Sequence, residues 1–195
     1  MVNRCFFFNR RICFMELFLL RHGKPDIRRS MAIRSVDMYS WIGEYDAAGI
    51  LDSPDASTVA ASEGKFIVSS PMPRALESVA ALGLEPDIII DELHEAPLPV
   101  FNIPLLKLTP LVWAALFRIF WMAGGSGGVE TFSSVKIRAK LVSCELDKMA
   151  ETHGSVLSVG HGFMNALVAR ELQKAGWKRQ KVGPSGYWSG IKLVR

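Results

Sequence analysis

Five short apolar runs, separated by stretches of helical periodicity, constrain this chain more than anything else in its sequence. They are Glu16–Leu20, Phe66–Ser70, Asp87–Asp91, Ser155–Val159 and Tyr187–Val194. Continuous apolar runs of this length, bounded by turn residues, are what strands buried on both faces of a sheet look like. Between them the apolar residues recur at helical spacing. Over Ser35–Ala48 the spacing of Val36, Met38, Tyr39, Ile42 and Tyr45 predicts a helix stopped by Gly49. Pro73–Leu82 carries a proline where a first helical turn tolerates one. Leu111–Met122, Phe132–Thr152 and Phe163–Ala175 complete the helical set, the last ended by Gly176. Strands alternating with helices predict an α/β fold: three layers, α/β/α, with a mainly parallel sheet and helices on both faces. The final run follows Gly183-Pro184 and is expected as an antiparallel edge strand.

The runs share a second property. Arg21-His22-Gly23 follows the first, Arg74 lies just beyond the second, and Asp91, Glu92 and Glu95 close the third. His161-Gly162 follows the fourth. Open α/β sheets place their ligand sites at the carboxyl ends of their strands, so these groups are expected in one crevice. Two guanidiniums and two imidazoles meeting there favour a dianionic ligand, because arginine matches phosphate oxygens bidentately and stays charged. Imidazole can attack phosphorus, and a carboxylic acid opposite it can protonate the leaving oxygen and then activate water. The cations themselves cover the charge of the transferring group, so this chemistry calls for no metal and no cofactor.

Composition narrows the alternatives. The chain has 195 residues, enough for one domain with a full core. Its net charge of +4 suggests a nucleic-acid binder until the charge is located. Three of the 23 Lys/Arg (Arg4, Arg10 and Arg11) lie in residues 1–14, which contain no acid, leaving 20 against 19 Asp/Glu in the rest. A nearly neutral body argues against nucleic acid as the partner. Residues 1–14 are broken by arginines and lack a small-residue cleavage site, so they do not read as a secretory signal. They are read as a disordered or non-native leader before a natural start at Met15, in preference to an extra edge strand or a basic aromatic membrane tail. Two of the three cysteines lie in that leader and Cys144 stands alone, which supports neither a disulfide framework nor a zinc site. The default compartment is a reducing cytoplasm. The aromatic segment from Leu105 to Met122 is interrupted by Lys107, Pro110 and Arg118, so no membrane span is expected. Trp113, Phe117, Phe120 and Trp121 are expected as its buried stripe, with a lid over a pocket as the alternative. Gly124-Gly125-Ser126-Gly127-Gly128 lacks the Lys-Ser/Thr of a phosphate loop and reads as a flexible hinge.

Taken in order, Leu20-Arg21-His22-Gly23, Ser69-Ser70-Pro71-Met72-Pro73-Arg74-Ala75, Leu93-His94-Glu95 and Gly160-His161-Gly162 resemble the histidine phosphatase superfamily, the phosphoglycerate-mutase-like proteins. The similarity runs from about Met15 to Val194. It implies a single phosphatase domain over 15–195 with a helical cap insertion at about 105–130. It implies His22 as the phosphorylated nucleophile and Glu95 as the proton donor, with Glu92 and Asp91 as competing carboxylates. Arg21, Arg74 and His161 become the phosphate pocket, to which Gly162 lends its backbone amide. Gly128-Val129-Glu130-Thr131 resembles the family's Gly-Glu-Ser signature and puts Glu130 at the pocket rim. The implied partner is a small phosphorylated substrate or a phosphoprotein. Lys24-Pro25 departs from the family pattern, and Lys24 and Arg28 are read as substrate-rim cations. His94 and His153 are read as turn or surface residues. The departures leave a mutase-type phosphotransferase, or a catalytically quiet phosphate-binding module, as alternatives to the phosphatase.

Overall fold

The computed structural model describes residues 14–27, 31–180 and 186–195. The leader reading therefore lies outside the described residues except at Phe14, and Arg28 lies outside them too. The elements run β1 (Glu16–Arg21), β2 (Ile33–Arg34), α1 (Met38–Ala47), α2 (Ala56–Ser62), β3 (Phe66–Ser69), α3 (Pro73–Ala81), β4 (Ile88–Ile89), β5 (Lys107–Leu108), α4 (Pro110–Met122), α5 (Phe132–His153), β6 (Ser155–Gly160), α6 (Gly162–Lys174), β7 (Lys178–Gln180) and β8 (Gly190–Val194). Short 3₁₀ turns cover Ser35–Asp37 and Asp91–Leu93.

Six strands form the main sheet in the order β4-β3-β6-β1-β8-β7. Pairing is parallel from β4 through β1, and β8 runs antiparallel to both β1 and β7. The antiparallel component expected from the last run is therefore present, and the short strand β7 extends the sheet beyond it. Alternation along β1 divides the core. Leu17 and Leu19 face the layer of α5 and α6, packing with Val135, Val142, Leu146, Met164 and Val168. Phe18 and Leu20 face α3, packing with Ala75, Val79 and Leu82. Each of the larger of these side chains, removed wholly from water, contributes about 1.5–3 kcal/mol. A third apolar cluster lies apart from the sheet, where Met38 of α1 meets Val100, Trp113 and Phe117.

Three boundaries depart from the sequence reading. The helix expected over Ser35–Ala48 starts as a 3₁₀ turn, because the Asp37 carboxylate turns back to the Arg34 N–H (3.1 Å) and guanidinium. On α4 the buried stripe is Trp113, Phe117 and Trp121, while Phe120 is half exposed. Positions 113, 117 and 121 stay on one face, and 120 falls about a sixth of a turn from its centre. The glycine-rich segment is a bonded turn rather than an open hinge. In it Gly124 N–H donates to Trp121 O (3.0 Å), Gly125 N–H to Phe120 O (3.0 Å) and Val129 N–H to Ser126 O (3.1 Å). No helix among the described residues is long and apolar enough to cross a membrane.

Candidate active site

The carboxyl ends of β1, β3 and β6 meet at one edge of the sheet, and their polar residues are packed there out of water. His22 is 1 % exposed, Arg74 and His161 are fully buried, and Arg21 is half-buried. The turn after β1 is fixed from several sides. His22 N–H donates to Gly160 O (3.0 Å), Gly23 N–H to the Ser78 hydroxyl (2.8 Å), and Asn165 Nδ2 to Leu20 O (3.0 Å). Glycine is needed at 23, since a Cβ there would stand 2.7 Å from the Trp188 ring and 2.9 Å from Asp52 Oδ1.

The tautomers follow from the partners. His22 Nδ1 lies 2.7 Å from the Gly23 carbonyl, which only accepts, so Nδ1 carries the proton and Nε2 the lone pair. Ser70 Oγ accepts the Met72 N–H (3.4 Å) and lies 2.8 Å from His161 Nε2. With Ser70 Oγ donating its proton to that nitrogen, the neutral His161 ring carries its N–H on Nδ1. The His22 and His161 rings stand 5.0 Å apart. Burial, and then the positive charge of Arg74, holds His161 well below the usual imidazole range, so it stays neutral. Three buried nitrogens here lack hydrogen-bond partners: Arg21 Nε, Arg74 Nε and His161 Nδ1. Orphaned buried donors are expensive, and three in one neighbourhood suit a ligand made of acceptors.

The remaining faces of the two guanidiniums are covered by the protein. Arg21 lies under the Tyr187 ring, 4.2 Å from its centroid, and packs 3.3 Å from where a Cβ on Gly162 would stand. Arg74 donates to Tyr45 O (3.1 Å), pairs with Asp46 Oδ1 at 3.4 Å and lies 4.6 Å from the Tyr45 ring centroid. Burial lifts the Asp46 carboxyl above its ordinary range, against the opposing pull of Arg74. Tyr187 is held by its neighbour: Trp188 adopts a left-handed φ of 58°, and its indole N–H donates to Asp52 Oδ1 (2.9 Å). A bulky residue in that conformation stores strain, as ligand sites often do.

Glu95 follows the 3₁₀ turn after β4 and reaches the start of α6. Its Oε1 accepts Ala96 N–H (2.9 Å) and Met164 N–H (3.2 Å), and its Oε2 accepts Phe163 N–H (3.4 Å). The carboxyl thus caps a helix whose N-cap, His161, makes no side-chain cap of its own. Of the three acids in this stretch, Glu95 lines the cavity above the site, while Asp91 and Glu92 are exposed.

That cavity has a volume of about 370 Å³. Its polar lining comes from Arg21, Tyr45, Asp46, His94, Glu95, Arg118 and Tyr187, and Trp41, Ile42, Leu98, Leu111 and Ala114 make up its apolar wall. His94 is the turn residue expected, its Nδ1 bonded to Asp91 O (2.6 Å), but it also borders the cavity. Arg118 of α4, noted in the sequence only as an interruption, lines the cavity too. It donates to Pro97 O (2.8 Å) and Ala96 O (3.0 Å) and packs over Trp121 and Phe163. Burial pulls its guanidinium below the ordinary range, opposed by the charge of Glu95.

Two residues expected at the rim lie elsewhere. Lys24 is exposed and does not line the cavity; its backbone N–H donates to Asp52 Oδ1 (2.7 Å). Glu130 pairs with Arg138 (2.9 Å), a charge so close that it draws the carboxylate behind the acid-bearing loop instead of into the cavity. Arg138, 8 % exposed, donates to Glu92 O (2.6 Å) and His94 O (2.8 Å). The pair therefore braces the loop that carries Glu95. Arg138 and Arg118 were legible as cations on otherwise apolar helix faces. Tyr45, Asp46 and Tyr187 carried no such signal. No group of three or more His, Cys, Asp or Glu among the described residues could hold a metal ion.

Solved structures share this architecture. A Thermus thermophilus protein, TTHB049, matches with a TM-score of 0.56 at 20 % identity, over 91 % of this chain and 92 % of that one. The Mycobacterium tuberculosis protein Rv3214 gives 0.55 at 16 % identity, over 91 % and 95 %. A phosphoserine phosphatase variant from Entamoeba histolytica, in complex with phosphoserine, gives 0.53 at 13 % identity, over 91 % and 89 %. No family model and no curated protein matches the sequence. The chain has the phosphoglycerate-mutase-like fold of the histidine phosphatases.

Proposed function

We propose that the protein is a metal-independent phosphatase that hydrolyses phosphate monoesters through a phosphohistidine on His22. The observation that carries this reading is that the buried nitrogens Arg21 Nε, Arg74 Nε and His161 Nδ1 lack partners at the strand ends where His22 stands, its ring 5.0 Å from that of His161 and its Nδ1 held by the Gly23 carbonyl. A phosphoryl group supplies the acceptors those donors lack, and the guanidinium charges stabilise its equatorial oxygens as the ester bond breaks. To bind, the phosphoryl group takes the place of the Asp46 carboxylate on Arg74.

His22 Nε2 forms the bond to phosphorus, while Glu95, entering as the carboxylic acid, gives its proton to the departing ester oxygen. Water then attacks phosphorus, Glu95 takes its proton, the Nε2–P bond breaks and inorganic phosphate leaves. Nδ1 keeps its proton throughout, held by the Gly23 carbonyl, so the ring is in the right tautomer at the start of each cycle. Arg118 and the Arg138–Glu130 pair hold the loop from which Glu95 works. The likeness to a phosphoserine phosphatase supports a phosphatase of this fold.

The test is p-nitrophenyl phosphate hydrolysis in excess chelator by wild type and His22→Ala. Undiminished turnover in chelator, with a fall on the order of 10⁴-fold in the variant, is the expected result. A His22→Ala protein with wild-type rate ends the reading, as does a wild type silenced by chelator and restored by a divalent ion.

A further inference from the structure

The apolar wall of the cavity is unlike its polar lining. Trp41 and Ile42 of α1, Leu98 of the preceding loop and Ala114 of α4 belong to the third apolar cluster, packed on Met38, Val100, Trp113 and Phe117. Their side chains present one indole N–H and no hydroxyl, amide or carboxylate. The carbonyls of Ala96 and Pro97, which also line the cavity, accept from Arg118. At the mouth Leu111 is 55 % exposed, so the apolar lining continues out to the surface.

From this wall we infer that the substrates are phosphate monoesters with apolar bodies, aromatic or short alkyl. The inference rests on the phosphatase reading of the same site. A polyol or amino-acid ester entering with its phosphate at Arg21 and Arg74 would set several hydroxyl, amino or carboxylate groups against Trp41, Ile42, Leu98 and Ala114. Each group would leave water without gaining a partner there. A benzyl-sized body meets the opposite situation: it fills volume next to an indole and three aliphatic side chains, and leaves no polar atom behind. The cavity's 370 Å³ suits a small ligand of this kind.

The test compares esters with equally poor leaving groups, so that chemistry does not mimic recognition. Benzyl phosphate, glucose 6-phosphate and phosphoserine are all primary alkyl monoesters. The expected kcat/KM for benzyl phosphate exceeds each of the others by about tenfold or more. In Ala114→Trp, which fills the wall, the preference for benzyl over methyl phosphate falls by a similar factor, read mainly in KM. Titration of the wild type with benzylphosphonate and methylphosphonate supplies a readout that needs no turnover. Equal or higher kcat/KM for the sugar and amino-acid esters overturns the inference and leaves the phosphatase standing. Tighter binding of benzylphosphonate with no ester hydrolysed sinks the phosphatase and sustains the apolar pocket. Failure of both phosphonates to bind overturns the two together.

Discussion

Beside the cavity, His22 and His161 follow the ends of strands and Arg74 opens α3, each tied down by buried polar contacts, whereas the apolar wall is made of side chains from α1, α4 and the loop at Leu98. His22 is pinned through its own backbone to Gly160 and through Nδ1 to Gly23. Arg74 is clamped by Tyr45 and Asp46. Nothing comparable orients Ile42, Leu98 or Ala114, which lie on the third apolar cluster. The difference separates two tasks. Positions at strand ends barely move, and suit bond making within a few tenths of an ångström. A wall of packed side chains sets only shape and polarity, and suits the choice of what is attached to the phosphate.

That division can be broken most sharply at Glu95. Glu95→Gln is expected to slow hydrolysis of methyl or benzyl phosphate by about 10²–10⁴-fold, the usual contribution of a proton donor. For p-nitrophenyl phosphate, whose phenolate leaves unprotonated, the loss should be much smaller. Equal losses for both, measured as kcat, would remove Glu95 from the role of acid and return it to that of a helix cap. At the wall the expected effect is on the fold. Trp113 is fully buried and its indole N–H donates to Ile33 O (2.9 Å), so Trp113→Ala should cost about 3–5 kcal/mol in urea denaturation. The surviving folded fraction should keep its rate on methyl phosphate, and a kcat that collapses with stability would join the polar residues and the wall into one unit.

The smallest effect concerns His161 and pH. In the unfolded chain it binds a proton near 6.5, whereas in the folded protein burial and Arg74 keep it neutral well below that. The unfolded state therefore binds more protons between those limits, and stability falls as pH drops below about 6.5, by up to about 1 kcal/mol per pH unit. Well above 6.5, where the unfolded chain also holds the ring neutral, His161 contributes no pH dependence. Urea midpoints at pH 7.5 and 5.5 should differ in wild type, and the difference should shrink in His161→Gln. Burial lifts Asp46 toward this interval, so the comparison with His161→Gln, which leaves Asp46 in place, is what assigns the difference to the histidine. Glu16, where burial is outweighed by Lys192 and Lys65, moves away from it.

The same contrast explains what could be read in the sequence. β1, β3 and β6 are covered on both faces, so they appear as unbroken apolar runs, and the polar residues at their ends mark the crevice. His22, Arg74 and His161 were found that way, whereas Glu95 follows the exposed strand β4 and stood out from Asp91 and Glu92 only through the resemblance of Leu93-His94-Glu95. β7 was not legible, because an exposed Lys-Arg-Gln edge has no pattern, and the two-residue β2–β5 ladder is too short to have one. The groups facing Arg21 and Arg74 come from α1 and the turn before β8, and only tertiary packing brings Tyr45, Asp46 and Tyr187 to them. Glu130 illustrates a different limit. Its position opening α5 was legible, but its direction depended on Arg138, eight residues further along that helix.

Bonding of phosphorus to His22 is the step on which the polar residues and the wall both depend. Wild type and Glu95→Gln, mixed with radiolabelled phosphoester and quenched in denaturant within one turnover, should carry label that is stable in base and lost in acid. Peptide mapping should assign it to His22, and His22→Ala should carry none. Turnover without any trapped label, or label on a residue other than His22, would contradict a phosphohistidine route.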